Sequence, residues 1–308
     1  MNEIVIKKQK RKVSAGRKVF VALNTIFLVL ISLTFVLPYM NILGKALNES
    51  KDTMLGGLTF WPRKWTWDNF NVVLNDTKTW SGLLVSVLRV VIGSAISLFI
   101  NYSTAYVLLR KGLRFKKAIV LFMILPNYIS GGLVSQYVIY AKLGVFNTFW
   151  VYVLPNAFTF YNMIIIRTYL DNVSESLRES ARLDGAGEFT ILFKIMLPLS
   201  MPIVATMLLW SAVGHWNDWS TTLYFIRDKS LYTLAYNLQL AVKEADILKE
   251  MIQDAIESGR PLGSIDTDIT GESLQAAQLI FTTLPIVCLY PFFQRYFMQG
   301  IMIGGVKE

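Results

Sequence analysis

Long apolar runs separated by short charged segments set the character of this chain. Six stretches carry about the 20 mostly apolar residues that an α-helix needs to cross a bilayer: 19–43, 80–109, 115–140, 149–169, 197–226 and 274–297. Several exceed that length, which predicts tilt or extension beyond the hydrocarbon. Prolines sit well inside four of these, among them Pro38, Pro126, Pro155 and Pro285, tolerated where neighbouring helices satisfy the freed carbonyls. The polar segment 174–198 has a different pattern. Leu177, Ala181 and Asp184 recur at helical spacing, and Phe189, Leu192, Phe193 and Met196 do so again further on. Two short helices are predicted, about 176–184 and 188–196. Ser176 and Glu179 stand at capping-box spacing, and Glu175–Arg178 and Glu179–Arg182 form i,i+3 charge pairs. Gly185 is expected to end the first helix, and Pro198 to break or bend the chain on its way into the fifth apolar run.

Charge orients the spans. Seven cations, from Lys7 to Lys18, precede the first run, and no small-residue cleavage site follows it, so an uncleaved first span is expected. Arg110, Lys111, Arg114, Lys116 and Lys117 mark one loop, and Arg178, Arg182 and Lys194 another. The segment 227–273 holds nine acidic residues against five basic ones. By the positive-inside rule both termini, the loop near 110–117 and the segment around Glu179 face the cytoplasm, while 44–79 and 227–273 face outward. Composition agrees: 54% of the 308 residues are hydrophobic and only 17% charged. The net charge of +9 therefore bears on topology, and no nucleic-acid partner is expected. The expected layout is a basic tail 1–18, a membrane domain 19–300 with outer loop 227–273, and a cytoplasmic tail 301–308.

A single cysteine, Cys288, and a single histidine, His215, exclude Cys/His zinc sites, and no metal site is expected. There is no phosphate-binding loop, since the one Gly-Lys pair, Gly44-Lys45, is followed by Ala46. His215 and Asp218 are three apart, but no nucleophile accompanies them, so catalysis is not expected. Intramembrane polar and aromatic side chains are candidates for a solute pathway. They are Asn101, Tyr102, Asn127, Gln136, Asn156, Tyr161, Asn162, His215, Trp216, Asn217, Asp218 and Trp219. Helix packing or an aromatic belt is the competing explanation for each.

Glu179, Ala181, Asp184, Gly185, Ala186, Phe193, Leu197, Pro198 and Pro202 match the E-A-A…D-G-A…F…L-P pattern of bacterial ABC-importer permeases, with Ser180 where Ala is usual. Trp216-Asn-Asp-Trp219, the Gly-rich tail 300–307 and the segment 131–137 resemble the maltose-type, multiple-sugar and oligosaccharide branch of that family. The resemblance implies an all-α polytopic permease of the type I importer fold. It implies that 174–198 docks a separate ATPase, with Glu179, Ala181, Asp184, Gly185, Ala186, Phe189, Phe193 and Pro198 as coupling residues. It implies as partners a second homologous permease, two ATPase subunits that bind ATP and Mg, an extracytoplasmic sugar-binding protein and membrane lipid. This chain itself would bind no cofactor and would lie in the bacterial cell membrane. The outer loop 227–273 would reach toward the binding protein. The alternatives are a permease for an amino acid or polyamine and, further off, a secondary transporter. The latter would call for an internal repeat or ion-coupling carboxylates at mid-span.

Overall fold

The computed structural model describes residues 14–54, 56–57, 60–258 and 271–304. Most of the basic tail, positions 259–270 of the outer loop and the last four residues lie outside them. Among the described residues the chain is helical apart from turns and links, with one isolated antiparallel bridge between Asn48 and Trp65. Helix α1 (Ala15–Ala46) starts at Ser14, whose hydroxyl accepts from the Arg17 N–H. At 1.5 Å per residue its 32 residues extend about 48 Å, against a hydrocarbon core of about 30 Å. Its side chains from Val19 to Met40 are exposed nearly all round. That suits a lipid-facing span and would be an aggregation hazard in water.

The turn after α1 is held by asparagines. Asn69, in α3 (Asp68–Asn75), donates to the carbonyls of Ala46 and Asn48 at 3.0 and 2.9 Å. Asn48 donates to Asp52, in α2 (Ser50–Met54), at 2.9 Å and accepts from the Lys64 N–H at 2.8 Å. Helix α4 (Thr77–Val107) follows, with Asp76 accepting from the Lys78 N–H at its start.

Beyond α4 the apolar runs depart from simple spans. The third is broken into α5 (Lys116–Ile124), a 3-10 turn at Leu125–Asn127 and α6 (Gly132–Lys142), with a 115° bend between the two halves. Pro126 lies in the turn, and Gly132 takes φ +72, so the chain reverses where a proline and a glycine meet. The fourth is not one helix. A 3-10 turn at Phe149–Tyr152 leads through an irregular link containing Pro155 to α7 (Phe160–Asp171), whose 12 residues are too few to span alone. Both Leu-Pro-Asn tripeptides, at 125–127 and 154–156, fall on these interruptions. Among the described residues three helices are long and apolar enough to cross a membrane, or up to five if each bent pair counts as one span.

The polar segment forms α8 (Glu175–Leu183), then α9 (Glu188–Thr190), a π-helical stretch Ile191–Met196 and α10 (Leu197–Leu199). Of the break or bend expected at Pro198, the structure shows a bend, placed two residues further on. Pro198 sits inside the helical run, which turns by 85° at Ser200 before α11 (Met201–Asn217), with Pro202 in the first turn of α11. A π register just ahead of Pro198 lets a residue without an N–H be carried with little disruption. The short helix α12 (Ser220–Phe225) precedes α13 (Leu234–Glu257) and α14 (Gly271–Gly304), which contains Pro285 and also Pro291.

Helix α4 is the centre, packed on α7, α11 and α13, while α14 packs on α1, α3, α11 and α13. One core joins the ends of α4 and α7 to the π stretch and α11, through Tyr102, Ala105, Met163, Ile166, Ile191, Met196 and Met207. A second, around Val85, Val151, Tyr152 and Phe225, lies at the other end of α4. The helices approach closely where glycine allows. A Cβ on Gly82 would stand 2.6 Å from Asn237 Nδ2, and one on Gly271 2.7 Å from Ala245 Cα.

Candidate functional site

A polar cavity of about 420 Å³ opens between α4, α11, the link before α7 and α12. Of the residues expected in a solute pathway, Asn156, Asn162, His215 and Asp218 line it. Ser97, Thr159, Ser211, Ser220 and Thr221 add hydroxyls to its wall, and Arg89 adds a guanidinium. This is a lining of hydrogen-bonding groups of the kind that engages a polar solute by its hydroxyls.

Arg89 is the residue that pathway reasoning passed over. Its side chain is fully buried. Nη1 donates to the Asp218 carbonyl at 2.7 Å, and Nη2 donates to the Asp218 carboxylate. The guanidinium also lies over the Tyr152 ring, 4.5 Å from its centroid. Asp218 in turn accepts from the Ser220 hydroxyl at 2.7 Å, from the Thr221 N–H at 3.1 Å and from the Thr221 hydroxyl. A carboxylate at this depth is tolerable because it is paired and fully hydrogen-bonded. Asp218 does not share a helical face with His215, as the spacing suggested. It lies just past the end of α11 in extended conformation and orders the first turn of α12. The clue to Arg89 was a single cation inside an 80–109 run that is otherwise almost uncharged. The network continues through Tyr152, whose hydroxyl bonds to Thr222 at 2.9 Å and donates to the Leu231 carbonyl at 2.7 Å. His215 is buried against α4, where a Cβ on Gly93 would stand 2.5 Å from its Nε2.

The remaining pathway candidates have other places. Asn101 is buried and positions the link. It donates to the Ala157 carbonyl at 3.2 Å and accepts from the Thr159 N–H at 3.0 Å, thereby holding the segment that carries Asn156 and Thr159. Tyr102 bonds to the Ser200 hydroxyl at 2.6 Å, at the bend before α11. Trp216 is buried toward α14 and donates to the Thr282 carbonyl at 3.1 Å. Tyr161 is exposed and stacks with Trp210. Asn127, Gln136, Asn217 and Trp219 are exposed, and none of them lines the cavity.

The expected docking segment forms an elbow. Helix α8 ends in a Schellman motif: the Gly185 N–H donates to the Arg182 carbonyl at 3.0 Å and the Ala186 N–H to the Ala181 carbonyl at 2.9 Å. Gly185 takes φ +79, the left-handed conformation that glycine adopts without steric cost. Glu179, Asp184 and Pro198 are exposed, while Ala181 and Ala186 are half-buried on the core. Leu183 and Phe189 stand 89% and 76% exposed, an apolar pair on either side of the hinge that is uncovered among the described residues.

Three local expectations are corrected. The N-cap of α8 is Ser174, its hydroxyl bonded to Ser176 rather than to the helix, so no capping box forms. The i,i+3 ion pairs give way to tertiary ones. Lys111 pairs with Glu175 at 2.5 Å, and Arg110 and Arg182 pair with Glu188 at 2.7 and 3.2 Å. The Lys111 ammonium holds the Glu175 carboxyl below the usual carboxylate range and is itself raised by it. Finally, Phe189, Leu192, Phe193 and Met196 do not share one face. Leu192 and Met196 are buried with Ile191, while Phe189 and Phe193 are exposed, Phe193 stacking with Phe99.

The elbow is tied to the helices that line the cavity. Tyr106 of α4 donates to Glu188 at 2.7 Å, and Tyr102 of α4 bonds to Ser200 at the head of α11.

Residues 13–303 match the family model described as binding-protein-dependent transport system inner membrane component. The chain belongs to this family. Among inner-membrane components, the polygalacturonan/rhamnogalacturonan transport system permease protein YtcP of Bacillus subtilis is 29% identical over 91% of this chain and 96% of its own length. The probable ABC transporter permease protein YurM of the same organism is 30% identical over 92% and 86%. Among solved structures, a bacterial ABC transporter involved in the import of the acidic polysaccharide alginate superposes with a TM-score of 0.81. It shows 21% identity and covers 93% of this chain and 99% of the other, so the fold is shared along nearly the whole length. Like YtcP and YurM, this inner-membrane component is a transport permease.

Proposed function

We propose that the chain is one permease subunit of an ATP-driven importer for an oligosaccharide, working with a second permease subunit, two ATPase subunits and an extracytoplasmic sugar-binding protein. ATP and Mg are held by the ATPase. The observation that carries the reading is the route from the elbow to the cavity. An exposed apolar pair flanks a hinge at Gly185, and Tyr106–Glu188 and Tyr102–Ser200 link that elbow to α4 and α11. Those two helices bear Arg89, Ser97, Ser211 and His215 on the cavity wall. An ATPase that grips Leu183 and Phe189 while Glu179 and Asp184 make polar contacts would displace both helices when it closes. The basic loops put the elbow on the cytoplasmic face, beside the ATPase. Helix α13, in the outer loop, is the part of this chain that would face the binding protein.

An oligosaccharide suits the lining: amides and hydroxyls bond sugar hydroxyls, and the one carboxylate is already taken by Arg89. A polyamine would call for free carboxylates. The relatives named above for polygalacturonan/rhamnogalacturonan and for alginate favour the same substrate class. Uptake of a panel of labelled oligosaccharides by the assembled transporter in proteoliposomes tests the reading. ATP-dependent uptake of at least one is expected, and uptake of only amino acids or polyamines would overturn it.

A further inference from the structure

A second cavity, about 440 Å³, lies between the turn that joins α4 to α5 and the first helix of the elbow. Its wall holds five cations, Arg110, Lys111, Arg114, Arg178 and Arg182, and two carboxylates, Glu175 and Glu188. Both carboxylates are engaged. Glu175 takes Lys111, and Glu188 takes Arg110, Arg182 and the Tyr106 hydroxyl. Among the described residues Arg114 lies over the ring of its neighbour Phe115. Arg178 is 8% exposed, and its Nε is buried with no hydrogen-bond partner. A guanidinium does not give up its proton, so burying it without an acceptor is costly. The wall thus has three positive charges in excess and one buried donor without an acceptor. The cavity also sits at the end of a candidate span, α4.

We propose that this cavity binds a phosphate group, with Arg178 as the buried anchor and Arg114 and Arg182 closing over it. Guanidinium forks match phosphate oxygens, and the charge of a phosphate group, one negative charge in a diester and up to two in inorganic phosphate, offsets part of the excess. Two sources supply this chemistry: the headgroup of an anionic phospholipid, and free inorganic phosphate.

The full chain, placed in phosphatidylcholine nanodiscs, separates them. Its unfolding midpoint is followed in one arm as phosphatidylglycerol replaces part of the lipid, and in the other as inorganic phosphate replaces chloride at constant ionic strength. The midpoint should rise in the arm that holds the true source. Arg178→Gln and Arg114→Gln should each raise the half-saturating concentration on the order of tenfold, and Arg178→Lys should keep part of the effect. Lys142→Gln, which removes an exposed cation elsewhere, should leave it unchanged. Arg114 is exposed, so its variant decides the matter even where Arg178→Gln fails to fold. The proposal is overturned by a flat midpoint in both arms, by an unaltered response in Arg114→Gln, by an equal loss in Lys142→Gln, or by a response that needs the ATPase.

Discussion

Arg89 and Asp218, 129 positions apart, are joined by two hydrogen bonds from one guanidinium to one residue's carbonyl and carboxylate. A single side chain of α4 thereby fixes the break between α11 and α12 and closes one wall of the polar cavity. Removing one member of a buried pair strands the other charge, at a cost of about 3–5 kcal/mol. Asp218→Ala should therefore lower the thermal midpoint sharply. Arg89→Met with Asp218→Leu should recover much of that stability while leaving uptake abolished. Equal stability of Asp218→Ala and wild type would show that the pair does not hold the break.

Gly93 and His215 make a second contact on the same wall. A methyl group on Gly93 would overlap the buried imidazole, and overpacking of this kind costs about 1–3 kcal/mol. Gly93→Ala should reduce both stability and uptake, and His215→Ala in that background should restore the stability. An unchanged midpoint in Gly93→Ala would place the two helices further apart than described.

How far the sequence could be read depended on how local the cause was. The α8 boundary and its stop at Gly185 were legible because amphipathic period and a left-handed glycine act within a few residues. The π stretch 191–196 was not, because its signal, Pro198, is equally compatible with a simple break. The continuous span expected over 149–169 failed at Pro155, whose link is held by Asn101 from another helix. Among the cavity residues, Asn156, Asn162, His215 and Asp218 were recoverable as polar groups in apolar runs. Arg89 was not among the polar and aromatic side chains considered for the pathway. A buried arginine needs a carboxylate, and that requirement pairs it with Asp218. The ion pairs of α8 were misassigned because Lys111 takes Glu175 and Glu188 takes Arg182, which no spacing rule within the helix can show.

The turn after α1 has a pH signature. Asn48, and then Arg63, hold the Asp52 carboxyl below its ordinary value of 3.8. A carboxylate depressed on folding contributes stability that is present above its unfolded pKa and is lost as pH falls through the lowered one. The thermal midpoint should thus hold down to about pH 4 and then fall. Asp52→Asn should lower it at neutral pH and flatten the acid fall. Superimposable acid profiles for the two proteins would rule out this contribution.

Tyr106→Phe removes the hydrogen bond to Glu188 without changing shape. A hydrogen bond to a charged group contributes about 1.5–3 kcal/mol. The variant should assemble normally but transport fewer sugar molecules per ATP hydrolysed. A wild-type ratio would mean that the elbow does not act on α4 through this bond.

The hinge at Gly185 is where the account is most exposed. Any residue with a Cβ is disfavoured at φ +79, by about 1–2 kcal/mol, asparagine least and β-branched residues most. The decisive measurement is ATP-driven oligosaccharide uptake, with ATP hydrolysis recorded alongside, by the complete transporter in proteoliposomes carrying wild type, Gly185→Asn or Gly185→Val. The account predicts a graded loss of uptake, slight for asparagine and severe for valine, with the membrane domain still folded. Full uptake by Gly185→Val would contradict the claim that energy enters this chain through the elbow.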